Sequence, residues 1–494
     1  MSSRRNVLIK RYFEDHSIVE ANLKSFNNFI EKYLQKAVDS VGDIIPTIIP
    51  QDMQDFKIRF GKISVGKPAI IEADGSRVEI TPAEARLRKI TYSAPIDIEV
   101  SVYINGIQRE SYTTQIGKIP IMLKSKKCNY YGLNKEELIK RNEDPDDPGG
   151  YFIINGNERV LITVEDLASN KFFVQENSVG PSKFTGKLFS ESGIYRIPHV
   201  IEQMKDGIIY LSFTRFKRIP IINVIKALGL TNDREITELI SGNKQYDDIY
   251  INLYSASELK NDEDAQESLA KKIYMTQPRE IKLEKVKENL DKFLLPHIGI
   301  DERVRIAKAK NLCKIVKMYL MVSREGLKLN DKDHYSNKRL KLSGDLLLEL
   351  FRTNMIVLVN DILYNFQRLV KRGKLQSTKI IIREKLLTSR VKSAMATGAW
   401  TGGRKGVSQN ADRTNFMSFQ SNLQRVISLL SASQENFQAR AIHSTHWGRL
   451  CPIETPEGTP IGLRKNTAML CEISQETVED NKIIKSFEKY GLKD

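Results

Sequence analysis

The chain has 494 residues, 40% of them hydrophobic and 28% charged, a balance that excludes wholesale disorder and leaves room for roughly three domains. No apolar run reaches the ~18 residues a membrane span requires, and the start MSSRRNVLIKRYFEDH interrupts its apolar stretch with charge too soon for a signal peptide, so a cytoplasmic location and no membrane partner are expected. The net charge of +16 favours a polyanionic partner.

The first predicted element is a helix from about Ser17 to Ser40, with Val19, Leu23, Phe26, Ile30, Tyr33 and Ala37 spaced by three or four and Ser17 with Glu20 as a capping box. Strands follow. Phe56, Ile58 and Phe60 alternate, as do Ile96, Ile98, Val100, Val102 and Ile104, which end at the hairpin dipeptide Asn105-Gly106. The turn-rich NEDPDDPGG precedes a second hairpin at Asn155-Gly156, between YFII and RVLITV. From about Leu167 to Asn330, short β-like runs (KFFVQ, GIIYLSF) give way to charged helical stretches such as EDAQESLAKKIYM, which predicts a separate domain. An amphipathic helix from Gly344 to about Val370 ends near Gly373. The fold class expected is α+β, multidomain, with mixed antiparallel sheets and helices.

Cys128, Cys313, Cys451 and Cys471 form no C-x-x-C pair, which fits reduced thiols. The basic surplus is local. Between Asn365 and Arg413, twelve basic residues (Arg368, Lys371, Arg372, Lys374, Lys379, Arg383, Lys385, Arg390, Lys392, Arg404, Lys405 and Arg413) face two acids, Glu384 and Asp412. A solvated basic face is the competing reading, but the run leads into a loop region rich in Arg, Gly and Pro, which favours nucleic-acid contact. In that region Arg440, Arg449, Arg464 and Lys465 can each meet a phosphate, while Pro452, Pro456 and Pro460 stiffen the chain and Gly458 and Gly462 turn it.

Other patterns fail on chemistry. GKISVGKP (Gly61 to Pro68) has phosphate-loop spacing, but Pro68 stands where a magnesium-binding hydroxyl is needed, so strand and turn is the better reading. His443, His446 and Cys451 with Glu454 nearby lack the spacing and committed fourth ligand of a structural zinc site. Asp97 with Glu99, the turn acids Asp144, Asp146 and Asp147, and Asp262 to Asp264 read as structural, because none joins a polar cluster to an apolar scaffold. No metal site is expected in this chain.

Three blocks carry a resemblance. They are DKDHYSNKRLKLSGDLLLELFR (Asp331 to Arg352), WTGGRKGVSQNADRTNF (Trp400 to Phe416) and ARAIHSTHWGRLCPIETPEGTPIGLRKN (Ala439 to Asn466). In order and wording they resemble the second-largest, β-like subunit of multisubunit DNA-dependent RNA polymerases, whose last block has the form H-x-T-H/Q-W-G-R-x-C-P-x-E-T-P-E-G. FGKISVGKP (Phe60 to Pro68) and DPGGYFIINGNERVLI (Asp147 to Ile162) match weaker family blocks, so the likeness spans nearly the whole chain and is closest to archaeal sequences. A complete β-like subunit continues for several hundred residues past this motif. The chain is therefore expected to be the N-terminal half of a split archaeal subunit.

The resemblance implies a protrusion at 1–166 and 331–395, a lobe at 167–330, and a fork with the active-centre rim at 396–494. It implies fork loops near Trp400 to Lys405 and Ser431 to Phe437. It assigns nucleic-acid contact to Gln409, Arg413 and Arg425, with Arg404, Lys405 and Arg440 as further phosphate grips, and active-centre or subunit contact to His443, Arg449, Glu454 and Glu457. The block Gly406 to Val426 resembles the pocket beside nascent RNA that is the rifamycin site in bacterial enzymes, except that Asn422 and Gln424 replace a common histidine and a usual basic residue. The implied reaction is nucleotidyl transfer, with Mg2+ held by the largest subunit and no catalytic residue on this chain. Implied partners are the C-terminal half of the β-like subunit, the largest subunit, other polymerase subunits, template DNA and nascent RNA. A free-standing basic nucleic-acid-binding protein is the alternative, and the carboxylate inventory disfavours a self-sufficient polymerase.

Overall fold

The computed structural model describes residues 2–491 apart from 51–52, 73, 178–179, 194, 243, 274–277, 328–329, 374–377, 434 and 476–479; Lys374 of the basic run and Gln434 of the second fork loop lie outside the described residues. The chain forms two compact units, residues 1–166 with 340–494, and residues 167–339. Each is a mixture of antiparallel sheet and helix.

In the first unit, alternating apolar residues build a four-stranded antiparallel sheet in the order Asp43–Ile44, Phe56–Val65, Ser93–Ile104, Ile107–Pro120. Phe56, Ile58, Phe60, Ile96, Ile98, Val100 and Val102 all turn to the core, as period-two patterning requires. The hairpin dipeptides behave as their chemistry demands: Asn105 and Gly106 have φ of 52° and 77°, and Asn155 and Gly156 have 53° and 80°. GKISVGKP lies in the strand Phe56–Val65 and the turn after it.

Helices close the sheet. The expected N-terminal helix runs as Glu20–Asn28, a π turn Phe29–Tyr33, and Leu34–Asp39. Its capping box does not form: Val19 is the N-cap with no side-chain cap bond, and Glu20 pairs with His16 and Lys24. A further helix, Ser2–Asp15, precedes it. The 29-residue helix Ser343–Lys371 presses Phe351 against Phe29 and Phe366 onto Phe56, with ring centroids 6.5 and 4.4 Å apart. Its first turn crosses Glu20–Asn28 so closely that a Cβ on Gly344 would stand 2.2 Å from the Ser25 carbonyl oxygen. The Gly344 N–H donates to Ser25 Oγ at 3.1 Å. The helix Glu384–Thr397 covers Ile107–Pro120 through Leu387 and Thr388.

Two small sheets bring distant segments together in the same unit. Ser408–Asn410 pairs with Asn157–Leu161, which pairs with Phe152–Ile154. Arg425–Ser428 lies parallel to Thr163–Leu167 and antiparallel to Arg464–Asn466.

The second unit is a five-stranded antiparallel meander from Phe172–Glu176 to Phe216–Pro220, packed on helices of which Arg305–Glu325 is the longest. Its core gathers Leu211, Phe216, Leu312 and Val316, and the Tyr319 hydroxyl donates to the Phe184 carbonyl at 2.8 Å. No helix among the described residues is long and apolar enough to cross a membrane.

Candidate nucleic-acid interface

The expected cations fall into two groups: those bonded within the chain and those left facing solvent. Arg404 belongs to the first. Its guanidinium donates to Glu349 at 2.6 Å and Asp166 at 3.3 Å, with its side chain 10% exposed, and Lys341 bonds the same two carboxylates. Burial raises the Glu349 carboxyl, but the charges and hydrogen bonds of Lys341 and Arg404 outweigh it and leave the pKa below the ordinary value. The loop is closed by the Trp400 N–H on the Arg404 carbonyl at 2.8 Å and held to the long helix by Trp400 Nε1 on the Leu346 carbonyl at 3.0 Å. Lys405 is left exposed at its tip.

Arg413 sits in a second network. Its Nε donates to Glu158 at 2.6 Å, its Nη2 to Asp147 at 2.9 Å, and its plane stacks over Phe419 with 3.8 Å to the ring centroid. Arg86 shares the network, donating to Glu158 at 2.8 Å, Glu143 at 2.7 Å and the Tyr151 hydroxyl at 2.7 Å; that hydroxyl donates to Asp147 at 2.9 Å. Burial pushes the Glu143 carboxyl up despite Arg86. Asp147, read from sequence as a turn acid, is therefore an anchor of the segment leading into the helix Phe416–Leu423.

Arg440 grips backbone: its guanidinium donates to the carbonyls of Thr459 at 2.6 Å, Ile461 at 3.0 Å and Ala432 at 2.8 Å. Lys465 departs furthest from its sequence reading. It is 7% exposed and bonds both oxygens of Glu165, itself 4% exposed, at 3.2 and 3.0 Å, so it does not face a phosphate. On Arg464–Asn466 the side chain of Lys465 turns inward while that of the preceding Arg464 turns out.

Lys405, Arg425, Arg449 and Arg464 make up the second group. Arg425 is half-buried and its guanidinium makes no hydrogen bond or ion pair among the described residues, while Arg464 is exposed and Arg449 uses one nitrogen on the Thr445 carbonyl at 3.1 Å. Asp412 lies close enough to Arg425 to feel its charge, but hydrogen bonds from Ser418 and Thr414 chiefly hold its carboxyl down to about 2. Gln409, on Ser408–Asn410, donates to the Gly406 carbonyl at 3.0 Å.

In the last block, His443 caps the 3-10 turn Ser444–His446, its Nδ1 accepting from the Thr445 N–H at 3.2 Å, and His446 Nδ1 accepts from the His443 N–H at 3.3 Å. Glu454 accepts from the Ser421 hydroxyl at 2.5 Å, tying the block to Phe416–Leu423, and Glu457 is exposed. Thr455 Oγ1 accepts from the Gly462 N–H and donates to the Arg464 carbonyl, both at 2.9 Å, which folds the Pro/Gly segment onto itself. Among the described residues no group of three or more His, Cys, Asp or Glu side chains could hold a metal ion. Apolar side chains stand out around the block: Trp447 is 66% exposed, Ile453 85% and Phe437 83%.

Sequence reading missed Arg86, Glu158, Glu165, Asp166 and Glu349. No local pattern marks their pairing, since Arg86 meets Glu158, Arg413 meets Glu158, Lys465 meets Glu165, and Arg404 meets Asp166 and Glu349 only across long stretches of chain.

This arrangement can be set beside known proteins. A family model described as RNA polymerase beta subunit matches residues 17–389, and one described as RNA polymerase Rpb2, domain 3, matches 409–473. DNA-directed RNA polymerase subunit Rpo2N of Methanocaldococcus jannaschii is 39% identical over 501 residues, covering 98% of this chain and 98% of that one. The Rpo2N subunit of Halobacterium salinarum is 38% identical, covering 98% and 95%. Subunit Rpo2 of Saccharolobus solfataricus is 42% identical over 94% of this chain, which spans only 41% of that relative's length. The chain thus belongs to the RNA polymerase beta-subunit family and corresponds to the N-terminal region of its archaeal Rpo2 members.

Proposed function

We propose that the chain forms one wall of the DNA cleft and part of the active-centre rim of a cytoplasmic DNA-directed RNA polymerase. The unit of residues 1–166 and 340–494 serves as protrusion and fork, and residues 167–339 as lobe. The observation that supports this reading is that the second and third family blocks and the part of the first from Leu340 to Arg352 fall within one unit, where Arg404 of the second block bonds Glu349 of the first. Lys405, Arg425, Arg449 and Arg464 present charge to phosphates, while Arg404, Arg413 and Arg440 shape the surface that carries them. Such contacts fix register without reading bases, so binding is sequence-tolerant and salt-sensitive. Nucleotidyl transfer takes place on Mg2+ held by the largest subunit, and this chain is inactive alone.

The exposed apolar residues around Trp447 and Ile453 favour an assembled subunit over a free-standing nucleic-acid binder. A polymerase reconstituted without this chain is expected to lose template-directed RNA synthesis, and a chain truncated before Ala439 is expected to fail to co-purify with the largest subunit. Normal transcription by the depleted enzyme would refute the reading. So would template-dependent synthesis by the pure chain with Mg2+.

A further inference from the structure

The loop between Trp400 and Gly406 carries two adjacent cations that meet different fates. Gly402 and Gly403 both take left-handed backbone, with φ of 70° and 74°, a region glycine enters without steric cost, so the loop's own backbone does little to fix where it points. Arg404 follows with φ −68° and ψ 141°. In such extended backbone successive side chains point to opposite sides, so whatever holds Arg404 inward turns Lys405 outward.

What holds Arg404 is a pair of carboxylates. Glu349 comes from the start of the helix Ser343–Lys371 and Asp166 from the strand Thr163–Leu167, 55 and 238 residues away in sequence. Each takes one guanidinium nitrogen, Nη1 at 2.6 Å and Nη2 at 3.3 Å, an arrangement that needs both arms of a planar cation. Lys341 completes the group, so two cations meet two carboxylates and the cluster has no net charge. All four side chains are at most 21% exposed. Lys405 is exposed and its ammonium makes no hydrogen bond or ion pair among the described residues. The seat thus supplies the loop's geometry and Lys405 its charge.

A carboxylate beside a phosphate-binding cation is ordinarily a hindrance, because it subtracts from the field a polyanion feels. Here the sign reverses. We propose that Glu349 and Asp166 are positioning residues for polyanion contact: by seating Arg404 they aim the Lys405 ammonium at a nucleic-acid phosphate. The assignment rests on the polymerase reading above and gives Arg404 a role other than the phosphate grip expected of it from sequence.

Elongation complexes of the assembled polymerase, carrying variants of this chain, test it through the slope of log dissociation rate against log salt. Lys405→Gln is expected to lower that slope by ~1, the loss of one phosphate contact. Glu349→Gln is expected to lower it by the same ~1 although it removes negative charge, and the double variant by no more than either alone. Arg404→Lys keeps the charge but cannot fork to two carboxylates; it is expected to match Glu349→Gln and carries the test should that variant not assemble. Slower dissociation of Glu349→Gln complexes would mean that the acid acts only through its field, and an unchanged slope that it only supports the fold; either overturns the proposal. A loss of ~2 in the double variant would give the seat a phosphate contact independent of Lys405 and would overturn it too. An unchanged slope for Lys405→Gln would do the same while leaving the polymerase reading in place, whereas failure of the unaltered chain to form elongation complexes with the other subunits would overturn that reading itself.

Discussion

A guanidinium is useful to a phosphate only through the nitrogens it has not already given away, and on that basis Arg425 and Arg413 part company. Arg413 offers two nitrogens to Glu158 and Asp147 and its face to Phe419, whereas the Arg425 guanidinium has no bonded partner among the described residues. Arg425→Ala in the assembled enzyme is expected to lower the slope of log dissociation rate against log salt by ~1, the signature of one lost phosphate contact. Arg413→Ala is expected to leave that slope in place and to destabilise the unit about as much as Glu158→Gln, the two changes being non-additive because they cut one network. A salt series on elongation complexes decides between the roles. An unchanged slope for Arg425→Ala, or a flattened one for Arg413→Ala, would reverse the assignment.

Among the elements, the parallel pairing of Arg425–Ser428 with Thr163–Leu167 joins segments far apart in the sequence. Lys465 and Glu165, on the two strands flanking Arg425–Ser428, form a buried ion pair across it. Removing one partner strands a charge in low dielectric, so Lys465→Met is expected to destabilise the first unit by about 3–5 kcal/mol. Lys465→Met with Glu165→Leu is expected to recover most of that loss, because two apolar side chains satisfy one another. Urea unfolding of the single and double variants measures both. Equal stability of Lys465→Met and the unaltered chain would show that the pair does not hold the sheet.

At the scale of the molecule, the second unit carries an acid-sensitive group of its own. In the second unit His199 is 2% exposed and lies flat against Phe213, with ring centroids 5.4 Å apart. Its Nε2 accepts from the Leu295 N–H at 3.2 Å and its Nδ1 donates to the Ile197 carbonyl at 3.1 Å, so a proton on Nε2 would face another donor. Burial holds its pKa down to about 4. Because the unfolded chain takes up this proton near pH 6.5 and the folded chain near 4, stability from this group is whole above about 6.5 and lost as pH falls to 4, by roughly 3 kcal/mol. His199→Gln is expected to flatten that part of the pH profile, read from urea midpoints of peptides within 167–339. A profile that does not change on substitution would place the acid sensitivity elsewhere.

The α+β character, the two Asn-Gly hairpins, the long helix and the family blocks were legible in the residues, because periodicity, turn chemistry and motif wording are local properties. The N-terminal capping box was misread, since Glu20 finds His16 and Lys24 instead of a free backbone N–H. Which arginines face outward was not legible at all. Arg404 and Arg425 look alike in sequence, and only the fold puts Glu349 and Asp166 around the first and leaves the second without a bonded carboxylate. Composition determined that this protein carries a large positive surplus; tertiary structure decided which of those charges remain to meet anything, because carboxylates distant in sequence reach their partners only when strands and helices pack.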